Sequence, residues 1–244
     1  MTQSKQMLNT LLRNVFSELG FTVGGFSFVK TEDKILENSI LAKDSFRKSY
    51  YLILFVEDNN DLATILNLES EYFYLMKEFV TGEPEIDKNT SMVVCLKTDA
   101  VPENLILRLE EDLYYFKKYV FTYSENQPID FFTVYKHSIE EIGYKKTLDK
   151  ILHNKELFQQ FKTNPDNNSL YDFVSRLFIK IPALNIEMIE TDGPSIQGLS
   201  KYIDERLQNR NLYELKQRLL NTDLNVDDIE QVFQFIDMYF EGND

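Results

Sequence analysis

The sequence predicts an α+β fold: a small mixed α/β core in the N-terminal half, followed by a mainly helical C-terminal part. Three observations carry this. Two nearly continuous apolar, β-prone runs, Tyr50–Val56 and Thr90–Leu96, have the pattern of strands covered on both faces. Between and after them stand segments with helical spacing, giving a strand–helix–strand–helix order over 50–118. Past residue 136 the β-prone runs cease and helical patterns take over.

Taken in order, residues 3–19 place Met7, Leu8, Leu11, Leu12, Val15, Phe16 and Leu19 on one helical stripe. Gly20 ends that helix and Gly24-Gly25 marks a turn, with a short strand expected over 26–30. After the first strong strand, Asp58-Asn59-Asn60-Asp61 offers N-caps for a helix over 61–80. Gly82-Glu83-Pro84 turns the chain into the strand over 90–97, and Pro102 opens a helix expected to run to residue 118. Strands are expected over 119–123 and 129–135, paired across a Gln127-Pro128 turn. Helices are expected over 137–162, 169–180, 194–209, 211–221 and 226–241. Asn225 caps the last, and Asp227 and Asp228 complement its dipole. The best linker is Thr163–Asn168. These assignments place a core over 1–136 and a helical region over 137–244.

Composition narrows the function. Over 244 residues, 43% hydrophobic and 14% aromatic content specify a folded protein rather than a disordered one. No run reaches the roughly 18–20 apolar residues that span a membrane, and nothing has the form of a signal peptide. A soluble, cytoplasmic protein is the expectation. The net charge of −14 is concentrated: residues 54–89 hold nine acids against two bases, and residues 168–244 fourteen against seven. Such a field opposes nucleic-acid binding by the chain alone.

The usual catalytic signatures are absent. There is no phosphate-wrapping GxxxxGK[ST] loop and no GxGxxG after a strand. His137 and His153 lack a metal-binding spacing, and the single Cys95 sits in an apolar run as a small core residue. Asp58, Asn60 and Glu69 mimic positions 1, 3 and 12 of a calcium loop. Leu62 and Ala63, however, stand where a ligand and a glycine are needed. Glu85, Asp87 and Lys88 share residue types with metal-dependent nucleases, at the wrong spacing. No catalytic, metal or cofactor residue is assigned.

The most patterned stretch is Glu110-Glu111-Asp112-Leu113-Tyr114-Tyr115-Phe116-Lys117-Lys118-Tyr119-Val120-Phe121-Thr122-Tyr123: three acids, then aromatics set around two lysines. Two readings are open. The aromatics pack the protein's own core, or they supply large rigid contacts to a partner. On a continuing helix, Tyr115 and Tyr119 would face one side and Phe116 another.

This block, together with Asp87-Lys88-Asn89-Thr90-Ser91 and the strand Met92–Leu96, resembles the first class of middle components of bacterial ABC-three-component conflict systems. That family is similar in role to the small third subunit of Lamassu-type antiphage complexes. The resemblance covers about residues 50–125. The family has a proline after the acidic triplet where this chain has Leu113. What the resemblance implies is a non-catalytic adaptor between an SMC-like ABC ATPase and an effector, often a nuclease. It makes Glu110, Glu111, Asp112, Tyr114, Tyr115, Phe116, Lys117 and Lys118 the candidate partner interface. Two alternatives stand beside it: a metal-dependent nuclease-like enzyme using Glu85, Asp87 and Lys88, and an acidic mimic of DNA.

Overall fold

The computed structural model describes residues 2–25, 34–80, 84–165, 169–186, 203–210, 212–221 and 233. Five strands form one mixed sheet in sequential order: β1 (Thr22–Gly24), β2 (Ile40–Asp44), β3 (Ser49–Val56), β4 (Thr90–Lys97) and β5 (Lys117–Tyr123). β1–β2 and β2–β3 are antiparallel, whereas β3–β4 and β4–β5 are parallel. Parallel neighbours need a crossover, and α3 (Asn59–Phe79) and α4 (Glu103–Glu111) provide the two.

The sheet is covered on both faces. Strand alternation sends Tyr50, Leu52, Leu54, Met92, Val94 and Val120 into one core, shared with Leu62, Ile65, Tyr72 and Met76 of α3 and Leu109 of α4. The alternate residues Tyr51, Ile53, Phe55, Val93, Cys95, Phe121 and Tyr123 enter the other. That second core is closed by α1 (Gln3–Glu18), α5 (Asn126–Ile142), α6 (Tyr144–Leu152) and α8 (Leu170–Lys180). The short helix α2 (Lys34–Glu37) adds Ile35 and Leu36 to the first core. Burial on both faces is why β3 and β4 read as unbroken apolar runs.

The α+β class stands, and so do the first helix, both strong strands and the α3 crossover. Several expected elements differ. The helix expected over 102–118 stops at Glu111. Asp112 carboxylate oxygen Oδ1 accepts the Tyr114 N–H at 2.9 Å, a local turn that competes with further helix. Tyr115 and Tyr119 are therefore not one helical face. The strand expected over 129–135 is part of α5, with Pro128 in the first turn, where its missing N–H costs nothing. Phe131 is buried and Phe132, Tyr135 and Ile139 pack beside it at helical spacing.

The helix expected over 137–162 is three pieces: the end of α5, α6, and α7 (Lys155–Thr163). Gly143 breaks the first junction at φ +86°. Glu18 then accepts the Tyr144 and Lys145 N–H groups at 2.8 and 2.7 Å, filling the N-terminus of α6. A Cβ on Gly143 would lie 2.9 Å from the Glu18 Oε1. Asn154 caps α7, accepting from Glu156 and Leu157. The strands β1 and β2 were not expected from the sequence. The strand expected over 26–30 and the helix over 226–241, Phe233 apart, lie outside the described residues.

The chain divides into two compact units, Met1–Ile186 and Glu187–Asp244. The boundary expected at 136/137 falls inside α5, and residues as far as Leu184 belong to the core that α1 and α5 also line. In the second unit, 203–208 form α9 and Tyr213–Asn221 form α10, joined by an ion pair between Lys216 and Asp204.

Candidate functional site

The acidic-aromatic block falls on three different structures: the end of α4, a tight turn over 112–116, and the edge strand β5. Its residues divide accordingly.

Lys118 organises the turn. Its side chain is fully buried, and its ammonium donates to the Tyr114 carbonyl at 2.7 Å, to the Asp112 carbonyl at 3.2 Å and to the Asp112 carboxylate. It is also ion-paired to Glu69 of α3 at 2.8 Å. One cation thus ties both ends of the turn to the crossover helix. The hydrogen bond from Lys118 holds the Asp112 carboxyl below the usual carboxylate range. Phe116 is buried, edge-on to Phe73 at 5.3 Å.

Glu110 has another task. Among the described residues β5 has a neighbour on one side only, and the Glu110 carboxylate accepts its Val120 N–H at 2.8 Å and pairs with Lys180 of α8 at 2.6 Å. Arg176 of α8 donates to the Thr122 carbonyl at 2.8 Å. Charged side chains thus occupy backbone groups that would otherwise invite another strand.

What remains exposed is the tip. Leu113 is 92% exposed, Tyr114 71% and Tyr115 41%, and Tyr74 of α3 beside them is 60% exposed. Tyr115 has φ +62°, a left-handed conformation that disfavours a side-chain-bearing residue. That conformation lays its ring against Phe73 at 5.7 Å and Tyr74 at 6.4 Å. A cleft of about 430 Å³ opens here, floored by Phe73, Tyr115 and Phe116 and rimmed by Lys77, Asp87, Lys88 and Lys117. Single exposed apolar residues are ordinary; here Leu113, Tyr114, Tyr115 and Tyr74 are exposed side by side.

The expected interface therefore splits by environment. Glu111, Tyr114, Tyr115 and Lys117 face solvent. Phe116 and Lys118 are buried, and Glu110 and Asp112 are half-buried in hydrogen bonds that build the turn and guard the edge. Tyr74, exposed beside Tyr115, is a residue that the sequence did not single out. It is an aromatic on the outer side of a helix whose inner side carries Tyr72, Phe73 and Met76, and its position beside Tyr115 depends on the fold.

The other groups singled out by the sequence have local partners. Asp87 pairs with Lys77 at 2.7 Å. Glu69, from the rejected calcium loop, belongs to the Lys118 cluster. Cys95 is fully buried, and burial pushes its thiol well above the ordinary range. His137 is exposed, and His153 places Nδ1 2.8 Å from the Asp149 carbonyl. At the carboxyl ends of the parallel strands, where many α/β proteins bind ligands, Lys97 meets Glu125 at 2.8 Å and Glu57 at 3.8 Å. Among the described residues, no group of three or more His, Cys, Asp and Glu could hold a metal ion. Nor is any helix among them long and apolar enough to cross a membrane.

Residues 49–145 match one family model. It is that of the ABC-three component (ABC-3C) system Middle Component 1. The matched segment spans β3 to the start of α6, so the pinned aromatic turn lies inside it. This is the family that the sequence motifs resemble. No curated protein and no solved structure matches the chain.

Proposed function

We propose that this protein is a non-catalytic adaptor or regulatory subunit that joins an SMC-like ABC ATPase to an effector, a nuclease in the family's usual arrangement, in bacterial defence against phage or plasmids. The observation that carries the reading is the exposed Leu113-Tyr114-Tyr115 turn. A chain that buries Lys118 to fix this turn invests stability in the shape of an aromatic tip that contributes little to its own core. Rigid, exposed Tyr and Leu side chains are suited to a protein contact because little side-chain entropy is lost on docking. The match to a middle component of a multi-subunit system supports protein partners. The net charge of −14 favours leaving DNA contact to another subunit.

The test is co-expression with the neighbouring genes, followed by affinity capture and mass determination of the complex. Capture of an ATPase with a long coiled coil is the expected result. A well-folded chain that captures nothing would refute the reading and direct attention to metal-dependent cleavage and its loss in Asp87→Ala.

A further inference from the structure

The cleft beside the aromatic tip has a charge opposite to that of its surroundings. Residues 54–89 carry nine acids and two bases, and both of those bases, Lys77 and Lys88, line this cleft. Lys117 arrives from β5 to join them. Asp87 is the only acid among the described lining residues, and it is engaged by Lys77 at 2.7 Å. Lys88 and Lys117 are exposed at the rim of an aromatic floor. Two exposed lysines lining a cleft with aromatic walls, on an acidic protein, form a local exception that favours an anionic group carried next to an apolar one.

We propose that this cleft binds a short acidic segment of a protein partner. A carboxylate of that segment meets Lys88 and Lys117, and an adjacent aliphatic or aromatic side chain lies on Tyr115 and Tyr74. The volume of about 430 Å³ is that of a site for a few side chains rather than a whole domain face. Single-stranded nucleic acid also combines anionic groups with stacking surfaces. Its continuous line of phosphates, however, would run from two lysines straight into the negative field of the flanking chain, whereas a peptide can confine its charge to one or two residues. The strained backbone of Tyr115 supports the assignment independently. A left-handed conformation is unfavourable for tyrosine, and what it achieves here is a ring placed along the cleft. The proposal rests on the adaptor reading and names the chemistry of the segment that docks.

The experiment pans a random peptide library displayed on phage against the full chain and against a full-length K88E/K117E variant. Both positions are exposed, and thermal unfolding of the variant confirms that it folds. If it does not, K88Q/K117Q takes its place. Peptides enriched on the unaltered chain are expected to carry Asp or Glu next to Leu, Phe or Tyr. A synthetic copy of one should bind the variant about tenfold more weakly or worse, with an affinity that falls as salt rises. Failure to enrich any peptide, enrichment of neutral or basic peptides, the same set on both proteins, or tighter binding of oligo-dT would each overturn the proposal. The adaptor reading fails separately: a co-expressed chain that captures no partner refutes it whatever peptides the cleft selects, whereas partner capture together with no selection of acidic peptides overturns the cleft proposal alone.

Discussion

Replacing Lys118 by Met removes the cation that pins the aromatic turn while keeping much of its apolar stem. In the native protein the ammonium has no exposure and serves two carboxylates and two carbonyls, with contacts at 2.7, 2.8 and 3.2 Å besides its pairing with the Asp112 carboxylate. Removing one partner of a buried ion pair typically costs about 3–5 kcal/mol, because the other charge is left uncompensated. Here the Asp112 side chain keeps 29% of its exposure and can draw on water, whereas Glu69 at 11% cannot. The expected loss is therefore at the lower end, about 3 kcal/mol. Denaturant titration of both proteins reads it directly as a shift in midpoint at constant slope. Adding Glu69→Gln and Asp112→Asn to Lys118→Met should restore part of the loss, since the repelling carboxylates are then gone. A loss under about 1 kcal/mol would be that of a surface pair. It would refute the claim that one buried lysine fixes the turn.

Tyr114→Ala, at the exposed tip, should change stability by no more than about 0.5 kcal/mol. The same change should weaken partner capture by about 2 kcal/mol or more if the tip is an interface anchor; calorimetric unfolding and titration measure the two effects. Glu110→Ala leaves the Val120 N–H and Lys180 without their acceptor, at about 1–3 kcal/mol. It also opens the edge of β5, so light scattering should show association rising with concentration. The Asp112 carboxyl is held down in the folded state, so its contribution is complete above its ordinary value near about 4 and fades as pH falls through the folded value. Asp112→Asn should flatten that acid limb in denaturation series. Cys95, fully buried, should react with a thiol reagent only when the protein unfolds, and native-state labelling at the global unfolding rate or slower checks this.

What the sequence discloses depends on the range over which each signal acts. β3 and β4 are legible because burial on both faces leaves an apolar run, Tyr50–Val56 and Met92–Leu96, a property of a few consecutive residues. The start of α3 is legible because Asp58 caps it locally, accepting the Asp61 N–H at 2.9 Å. β1 and β2 are not legible in this way. They are short and take their strand geometry from pairing: β3 supplies the partners Ile53 to Ser49 for Ile40 to Asp44 of β2, and β2 in turn pairs with Thr22 to Gly24 of β1. The stop at Asp112 was hidden for a related reason. The leucine spacing of α4 runs smoothly toward the aromatics, and only Lys118, six residues on, and Glu69, on another helix, show why the chain turns there. α5 misled through composition: Phe131, Phe132, Val134 and Tyr135 are β-prone types, and their helical state follows from packing on α1 and α8 rather than from propensity.

Within the acidic-aromatic block, the sequence does not disclose the division of labour. That Glu110 guards a sheet edge, that Lys118 is buried, and that Tyr74 joins the tip all depend on contacts distant in sequence. Leu113 belongs to that exposed tip. It stands at the outermost point of the turn, 92% exposed.

The most direct test of the account is the affinity of the captured ATPase–effector assembly for this chain and for a Leu113→Asp, Tyr114→Ala variant, measured at equal folded stability. The account predicts stable capture by the native chain and a loss of about tenfold or more in the variant. Equal affinity of the two would contradict it, and would move the partner surface away from the aromatic turn.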